Sequence, residues 1–371
     1  MSFLGIDLHS NRITVARLAV KGEAFETITK TYNFERESFK RFLDSLSEHD
    51  YALVENTFNA FWFYDQIAER VKECLVYNTN EARRVGNKTD KIDSRHLVQK
   101  LGYYFIMGER KEYLPTVYVV DAEIREIRGL FTTYQLYKKT KVQLKNRIHS
   151  ILKQNGICIE RGKIDRKDFE ASIDGFEISE IWKFQIRSAL KALKSVHEEQ
   201  KEIKDQIHLL GYKLFKEEIE LLMSIRGFSA FTAIALMSDV VDVNRFSSAR
   251  KFCSYLRATP KVTASNQSIK IGHINRQSRP LTCSLLTQSI IQLSQAGEHM
   301  TEFFGRVKIG KSAGKSRIAL IRKILVSAYH MLNRKQKYHW VEEELYSKKL
   351  KEFQNKVAKI KTSAEEERKS A

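Results

Sequence analysis

Across residues 1–118 the apolar positions switch between a period of two and a period of 3.6, and the switches predict an α/β unit. Phe3–Leu8 is an apolar run broken only by Gly5 and Asp7, as a buried strand would be. Arg12–Val20 alternates after a turn at Ser10-Asn11, and Phe25–Phe34 carries Ile28, Thr29, Thr31 and Tyr32, so both are predicted strands. Phe39, Phe42, Leu43 and Leu46 share one face of a helix over Glu35–Glu48. Tyr51–Glu55 is a fourth strand, Asn59–Lys72 a second helix and Cys74–Tyr77 a fifth strand. A third helix is predicted from Thr89, as its N-cap, to about Leu101.

Residues 119–216 change to long helical periods. Ile127, Leu130, Phe131, Tyr134 and Tyr137, then Leu144, Ile148 and Leu152, form the stripe of one helix over Asp121–Lys153. After a break at Asn155-Gly156 a second helix resumes near Ile178, with Leu190, Leu193, Ile203, Ile207, Leu210 and Leu214 close to coiled-coil spacing. An antiparallel coiled-coil pair fits this pattern, either as a spacer or as an oligomerisation or RNA-binding element. A third, mainly helical unit spans residues 217–336 and opens on Leu222-Met223-Ser224-Ile225-Arg226-Gly227-Phe228, a helix–turn–helix junction in which a second glycine would stand at Ser229. Residues 337–371 mix Lys and Glu evenly and predict a solvated, fraying charged helix.

The 371 residues are 42% hydrophobic and 29% charged, which excludes wholesale disorder and suits several folded units. Lys and Arg number 64 against 45 Asp and Glu, for a net charge of +19, so a polyanionic partner is expected. A membrane surface is the competing partner, but no helix with a wholly basic polar face supports it. No apolar run approaches the roughly 20 residues of a membrane span, and Asp7 inside the first apolar stretch argues against a signal peptide. Cys74, Cys158, Cys253 and Cys283 have no metal-ligand spacing and are expected as free thiols in a reducing cytoplasm.

Against this basic background four acids stand out. Asp7 lies mid-strand, where an acid is costly unless something ligates it. Glu55 closes the fourth strand, and Asp90 and Asp93 are one helical turn apart in Lys88-Thr89-Asp90-Lys91-Ile92-Asp93. Singly, Glu55 reads as a strand-end surface residue and Asp90 as a first-turn helix residue favoured by the dipole. Together, on three meandering strands followed by alternating helix and strand, they have the order of ribonuclease-H-type nucleases. Such acids could hold Mg2+ or Mn2+ for phosphoryl transfer.

Val243–Ala296 contains no acid yet holds Arg245, Arg250, Lys251, Arg257, Lys261, Lys270, Arg276 and Arg279, as a phosphate-facing surface would. In its middle Pro260-Lys261-Val262-Thr263-Ala264-Ser265-Asn266-Gln267-Ser268 reads as a loop turning at Asn266. A serine displayed there could attack a phosphodiester if a base or metal activated it. On the loop alone Ser265 and Ser268 are equally eligible, and an ordinary turn serine fits too.

With these motifs the chain resembles the bridge-RNA-guided transposases of the insertion sequence 110 family, over nearly its whole length to about Gln336. The resemblance rests on Gly5-Ile6-Asp7-Leu8-His9, Glu55, the Asp90/Asp93 pair, Ile225-Arg226-Gly227, Arg245-Phe246-Ser247-Ser248 and Pro260-x-x-x-x-Ser265. It implies an N-terminal RuvC-like domain whose Asp7, Glu55, Asp90 and Asp93 bind metal, a long coiled-coil, and a transposase domain whose Ser265 is the nucleophile. It further implies a phosphoserine intermediate, a non-coding bridge RNA pairing with donor and target DNA, and a bacterial cytoplasmic setting. The site would be composite, completed between subunits of a dimer that assembles to a tetramer. Asn266 stands where the family usually has glycine. The alternatives are a metal-dependent nuclease such as a junction resolvase, using water as nucleophile, and an inactive nucleic-acid-binding scaffold.

Overall fold

β1 (Ser2–Leu8) is buried along its whole length, and the first unit of the chain is built outward from it. The computed structural model describes residues 2–21, 24–78, 90–106, 114–265, 268–274 and 280–370. They divide into two units, Met1–Val120 and Asp121–Ala371. In the first, β2 (Arg12–Lys21) and β3 (Ala24–Asn33) continue from β1 as an antiparallel meander. α1 (Arg36–Asp44), β4 (Asp50–Glu55), α2 (Ala60–Ile67), β5 (Glu73–Tyr77) and α3 (Asp90–Ile106) follow. β4 joins the other edge of β1 in parallel and β5 extends it, giving the order β3-β2-β1-β4-β5. The predicted element order is therefore present. Helix ends differ: α1 stops at Asp44, where Ser45 Oγ donates to the Phe42 carbonyl and Ser47 N donates to Asp50 at the start of β4. Thr89 lies outside the described residues.

The period-two pattern of β1 sorts its side chains onto two cores. Leu4, Ile6 and Leu8 meet Phe42 and Phe63 on one face. Phe3 faces Leu97, Val98 and Leu101 of α3 on the other, with Leu53 of β4. Gly5 lies on the α3 face, and a Cβ built there would sit 2.2 Å from the Ser94 carbonyl oxygen and 2.3 Å from the Val98 nitrogen. Both are helix backbone, so the sheet and α3 approach this closely only because residue 5 has no side chain.

The second unit opens with α4 (Ala122–Gln154) and, after the single turn α5 (Phe169–Ser172), α6 (Glu180–Met223). Arg147 bonds Gln185, Lys141 bonds Gln200, and Lys213 pairs with Glu123, so the two long helices are antiparallel. Gln200 is buried in the seam and also donates to the Tyr134 carbonyl at 3.2 Å, a polar layer of the kind that fixes helix register. α6 kinks at Phe215 and continues through position 217.

Gly227 makes the turn out of α6, with φ at +90° and a Leu293 nitrogen 2.9 Å from where a Cβ would be. Ser229 replaces the second glycine of the expected junction by capping α7 (Ala230–Val240): its Oγ accepts from Thr232 N at 3.2 Å. α8 (Ala249–Tyr255) is capped in the same way by Ser248. The segment read as a displayed loop is instead a hairpin, β6 (Pro260–Ser265) and β7 (Ser268–Ile274), in which Ser265 pairs with Ser268. Val262, Thr263, Ile269 and Ile271 supply β-branched residues, and a two-residue connection suits a tight hairpin. Asn266 lies outside the described residues.

Four helices then pack the remaining core: α9 (Leu281–Gln288), α10 (Ile290–Ser294), α11 (Glu298–Gly310) and α12 (Ala313–Arg334). The last helix, α13 (Glu343–Ser370), differs from the solvated tail expected of its charge pattern. Tyr346, Phe353 and Val357 are buried, and the Phe353 ring lies 5.8 Å from both His208 and Tyr212 of α6. Lys349 Nζ donates to the carbonyls of Met223, Ile225 and Phe228, where α6 ends. Burial brings its ammonium down to about 8, with Glu342 opposing the change. No described helix is long and apolar enough to cross a membrane.

Gly5→Ala tests the contact between β1 and α3. Overpacking against helix backbone is expected to cost about 1–3 kcal/mol or more, read as a lower thermal midpoint. Gly129→Ala, on an exposed helical position with nothing within 4 Å, is the control and is expected to stabilise by up to about 1 kcal/mol. Equal midpoints for the two variants would refute the close-approach argument.

Candidate active site

The alternation that buries Phe3 against α3 also turns Asp7 to that face, at the end where α3 begins. Asp7 is only 5% exposed. Ile6 pairs with Val54, so the next residue of each parallel strand brings Asp7 and Glu55 side by side. Asp90 and Asp93 occupy the first turn of α3, which the bare surface of Gly5 lets settle onto the sheet. The four acids predicted from sequence thus converge on one region of the first unit.

Their charges act on one another. Burial pushes the Asp7 carboxyl up to about 6; His9 opposes the rise, while Glu55, Asp93 and Asp90 add to it. At Asp90 burial works in the same direction, but His9 and the Arg12 guanidinium outweigh it and hold that carboxyl below its ordinary value. Arg12 Nη2 donates to Asp90 Oδ2 at 2.9 Å. His9 Nε2 is 3.2 Å from Asp7 Oδ2 and 3.2 Å from Asp90 Oδ2.

His9 and Arg12 are site residues that the sequence reading passed over. The signal was position: both flank the turn between β1 and β2, and His9 follows Asp7 by two residues. Ligand atoms of Asp7, His9 and Asp90 lie within 4.8 Å of one another, a spacing that one cation can bridge. His9 Nε2 is buried and stands at ion-pair distance from both carboxylates without a well-aligned hydrogen bond to either, so it belongs to the same cluster. The donor set fits a hard divalent ion, and its imidazole is as acceptable to Mn2+ as its carboxylates are to Mg2+.

The serine candidates belong to the second unit. Ser265 and Ser268 face each other at the closed end of the β6–β7 hairpin, and their side chains lie outside the described part of the chain. The expected phosphate-facing cations divide into groups. Arg250, Lys251 and Lys261 are exposed. Arg257, at φ +60°, lines a small cleft with His273 and Cys283. The Arg245 guanidinium lies over the adjoining rings of Phe246 and Tyr255, at 4.8 and 4.7 Å, which gives it a packing role. Arg276, Arg279 and the side chain of Lys270 lie outside the described residues.

Residues 219–305 match the model of the family described as "Transposase IS116/IS110/IS902 family". The match runs from the last turn of α6 into α11 and includes the whole hairpin. It supports a transposase of that type, with transposase or recombinase activity on DNA. No curated protein gives a significant match to the chain.

The raised Asp7 carboxyl fixes the sign of a pH effect. The folded state binds this proton more tightly than the unfolded chain, so in metal-free protein Asp7 costs stability as pH rises from about 4 to 6, and the full cost persists above. Asp7→Asn is expected to remove this component, leaving the variant more stable than wild type at pH 7.5 in EDTA by on the order of 2–3 kcal/mol. At pH 4 the two should unfold together. Denaturant titrations at the two pH values decide it; a difference independent of pH would refute the raised Asp7 carboxyl.

Proposed function

We propose that the protein is an RNA-guided DNA transposase that cuts and rejoins DNA through a serine-linked intermediate. The observation that carries this reading is the convergence of Asp7, Glu55, Asp90 and Asp93 in a chain whose residues 219–305 match a transposase family. The sheet order, with an antiparallel meander followed by two parallel strands, supports a RuvC-like identity for the first unit. The antiparallel α4–α6 pair corresponds to the family's coiled-coil.

In this reading Asp7, Glu55, Asp90 and Asp93 hold Mg2+ or Mn2+, with His9 contributing a nitrogen. When bound, the ion supplies a Lewis acid for the oxygens around the reacting phosphorus. Ser265 Oγ attacks that phosphorus, and the bond to a deoxyribose oxygen breaks. The serine proton passes to a carboxylate of the quartet, and the departing oxygen gains a proton. A hydroxyl of the second DNA strand then attacks the phosphoserine, releasing Ser265 and joining the strands. Holding the phosphate as an ester on the protein conserves a phosphodiester bond between the two steps.

The site is composite, with carboxylates from one subunit and the serine from another in a tetramer of two dimers. A bridge RNA chooses donor and target by base pairing, which leaves the cationic surface to bind backbone without reading sequence.

Ser265→Ala and Asp7→Asn separate this reading from its alternatives. Each is expected to lower strand exchange by roughly three orders of magnitude or more, and Ser265→Ala to abolish the covalent protein–DNA adduct seen on denaturing gels. Ser268→Ala should keep the adduct. Undiminished DNA cleavage by Ser265→Ala, lost in Asp7→Asn, would instead indicate a nuclease using water. Full activity in both variants would leave only a binding scaffold.

A further inference from the structure

A second acid-free stretch runs from Phe303 to Val341 and carries ten Lys and Arg residues. It includes the turn from α11 into α12, and there the fold has formed a cleft of about 1250 Å³ against the root of the β6–β7 hairpin. Arg306, Lys311, Lys315, Arg317, Arg322 and Lys323 line it, without a single acid. None of the six makes an ion pair among the described residues; Lys323 lies over the Phe303 ring at 4.4 Å. Ile274, Ile318 and Val326 give the cleft an apolar floor beneath this cationic rim.

The N-terminus of α12 opens into the same cleft. Ser312, Gly314 and Lys315 are exposed, and Ser312 makes no side-chain cap. The first-turn N–H groups of this 22-residue helix therefore add donors and the positive end of the helix dipole to the side-chain cations. A phosphate would meet both. The segment Gly305-Arg306-Val307-Lys308-Ile309-Gly310-Lys311-Ser312 has the spacing of a nucleotide-binding P-loop, but Gly305 to Gly310 are helical here, which excludes the strand–loop–helix cradle of that motif.

We propose that this cleft is a binding site for the DNA backbone, set at a fixed distance from the reacting phosphate. The inference rests on the reading of Ser265 as the nucleophile for its distance, though not for the binding itself. Pro260 and Ile274 pair at the cleft, and Ser265 pairs with Ser268 at the far end of the same hairpin. Six residues of extended strand span about 17 Å, which is roughly five nucleotide steps along one DNA strand. DNA with a phosphate at Ser265 thus carries its flanking backbone to the cleft, where sugars cover the apolar floor and phosphates meet the rim. Duplex DNA satisfies a rim of six cations more fully than a mononucleotide with its few charges.

The experiment measures binding of the full-length protein to a fluorescently labelled DNA duplex by anisotropy across a range of salt, with Lys311→Gln/Lys315→Gln, Ser265→Ala and wild type compared. Both lysines are exposed, and an unchanged thermal midpoint verifies the fold. If the double variant unfolds, Arg306→Gln/Arg322→Gln replaces it. The groove variant is expected to lower the slope of log affinity against log salt by about 1.8, at about 0.9 for each phosphate no longer neutralised. Ser265→Ala should bind with the wild-type slope. An unchanged slope in the groove variant overturns the proposal, as does a loss confined to a labelled RNA hairpin measured in parallel. Retention of the covalent adduct by Ser265→Ala would instead overturn the nucleophile reading, while the salt slope still decides the cleft.

Discussion

The first unit depends on one close approach. Gly5 presents bare backbone in the middle of β1, and α3 rests on it so closely that a methyl group would sit 2.2 Å from the Ser94 carbonyl oxygen. This contact sets the height of α3 above the sheet, and with it the position of the helix's first turn. Asp90 and Asp93 are on that turn, two strand residues beyond Gly5 lies Asp7, and Glu55 stands beside Asp7 on the parallel neighbour. The missing side chain and the buried acid belong to one arrangement: one allows the helix in, the other meets the charges it brings.

The second unit has a different keystone. The turn after α6 leaves the carbonyls of Met223, Ile225 and Phe228 pointing toward α13, and Lys349 satisfies all three from a buried position. A cation there also complements the negative end of a 44-residue helix. The Phe353 ring against His208 and Tyr212 holds α13 to the same helix. Gly227 turns the chain at this point, and its close contact with Leu293 ties the turn to α10. The scaffold that carries the hairpin therefore reaches the C-terminal helix, well past the residues that match a transposase family.

Much of this was legible in the sequence because periodicity reports burial. The five strands, the helices between them and the two long helices followed from apolar spacing, and so did the acids, since an acid mid-strand breaks the pattern visibly. What escaped was of two kinds. The packing of α13 was hidden because its apolar residues Tyr346, Phe353 and Val357 are diluted by Lys and Glu, so the charge pattern dominated. The cation at residue 349 reads as solvated unless its carbonyl partners are known. Gly5 as a contact and Arg12 as a neighbour of Asp90 are tertiary facts with no periodic trace, whereas His9 follows Asp7 at the strand period and was passed over. The hairpin differed, because β-branched residues on both sides of a two-residue gap were in plain view, but Asn266 as a turn residue favoured a loop reading.

Charge is sorted along the chain as well as in space, and the sorting explains why neither half of the chemistry looks complete by itself. The acids gather where a +19 protein would otherwise repel a cation, and burial, with a smaller addition from the neighbouring acids, raises the Asp7 carboxyl. His9 relieves both Asp7 and Asp90, and Arg12 adds a second cation at Asp90. The hairpin lies inside an acid-free stretch, Val243–Ala296, so a serine at its tip has no carboxylate in its flanking sequence. A phosphodiester drawn to that cationic ground would meet an inert hydroxyl. In the proposed composite site the carboxylates and the serine come from different subunits, so reaction would be conditional on assembly.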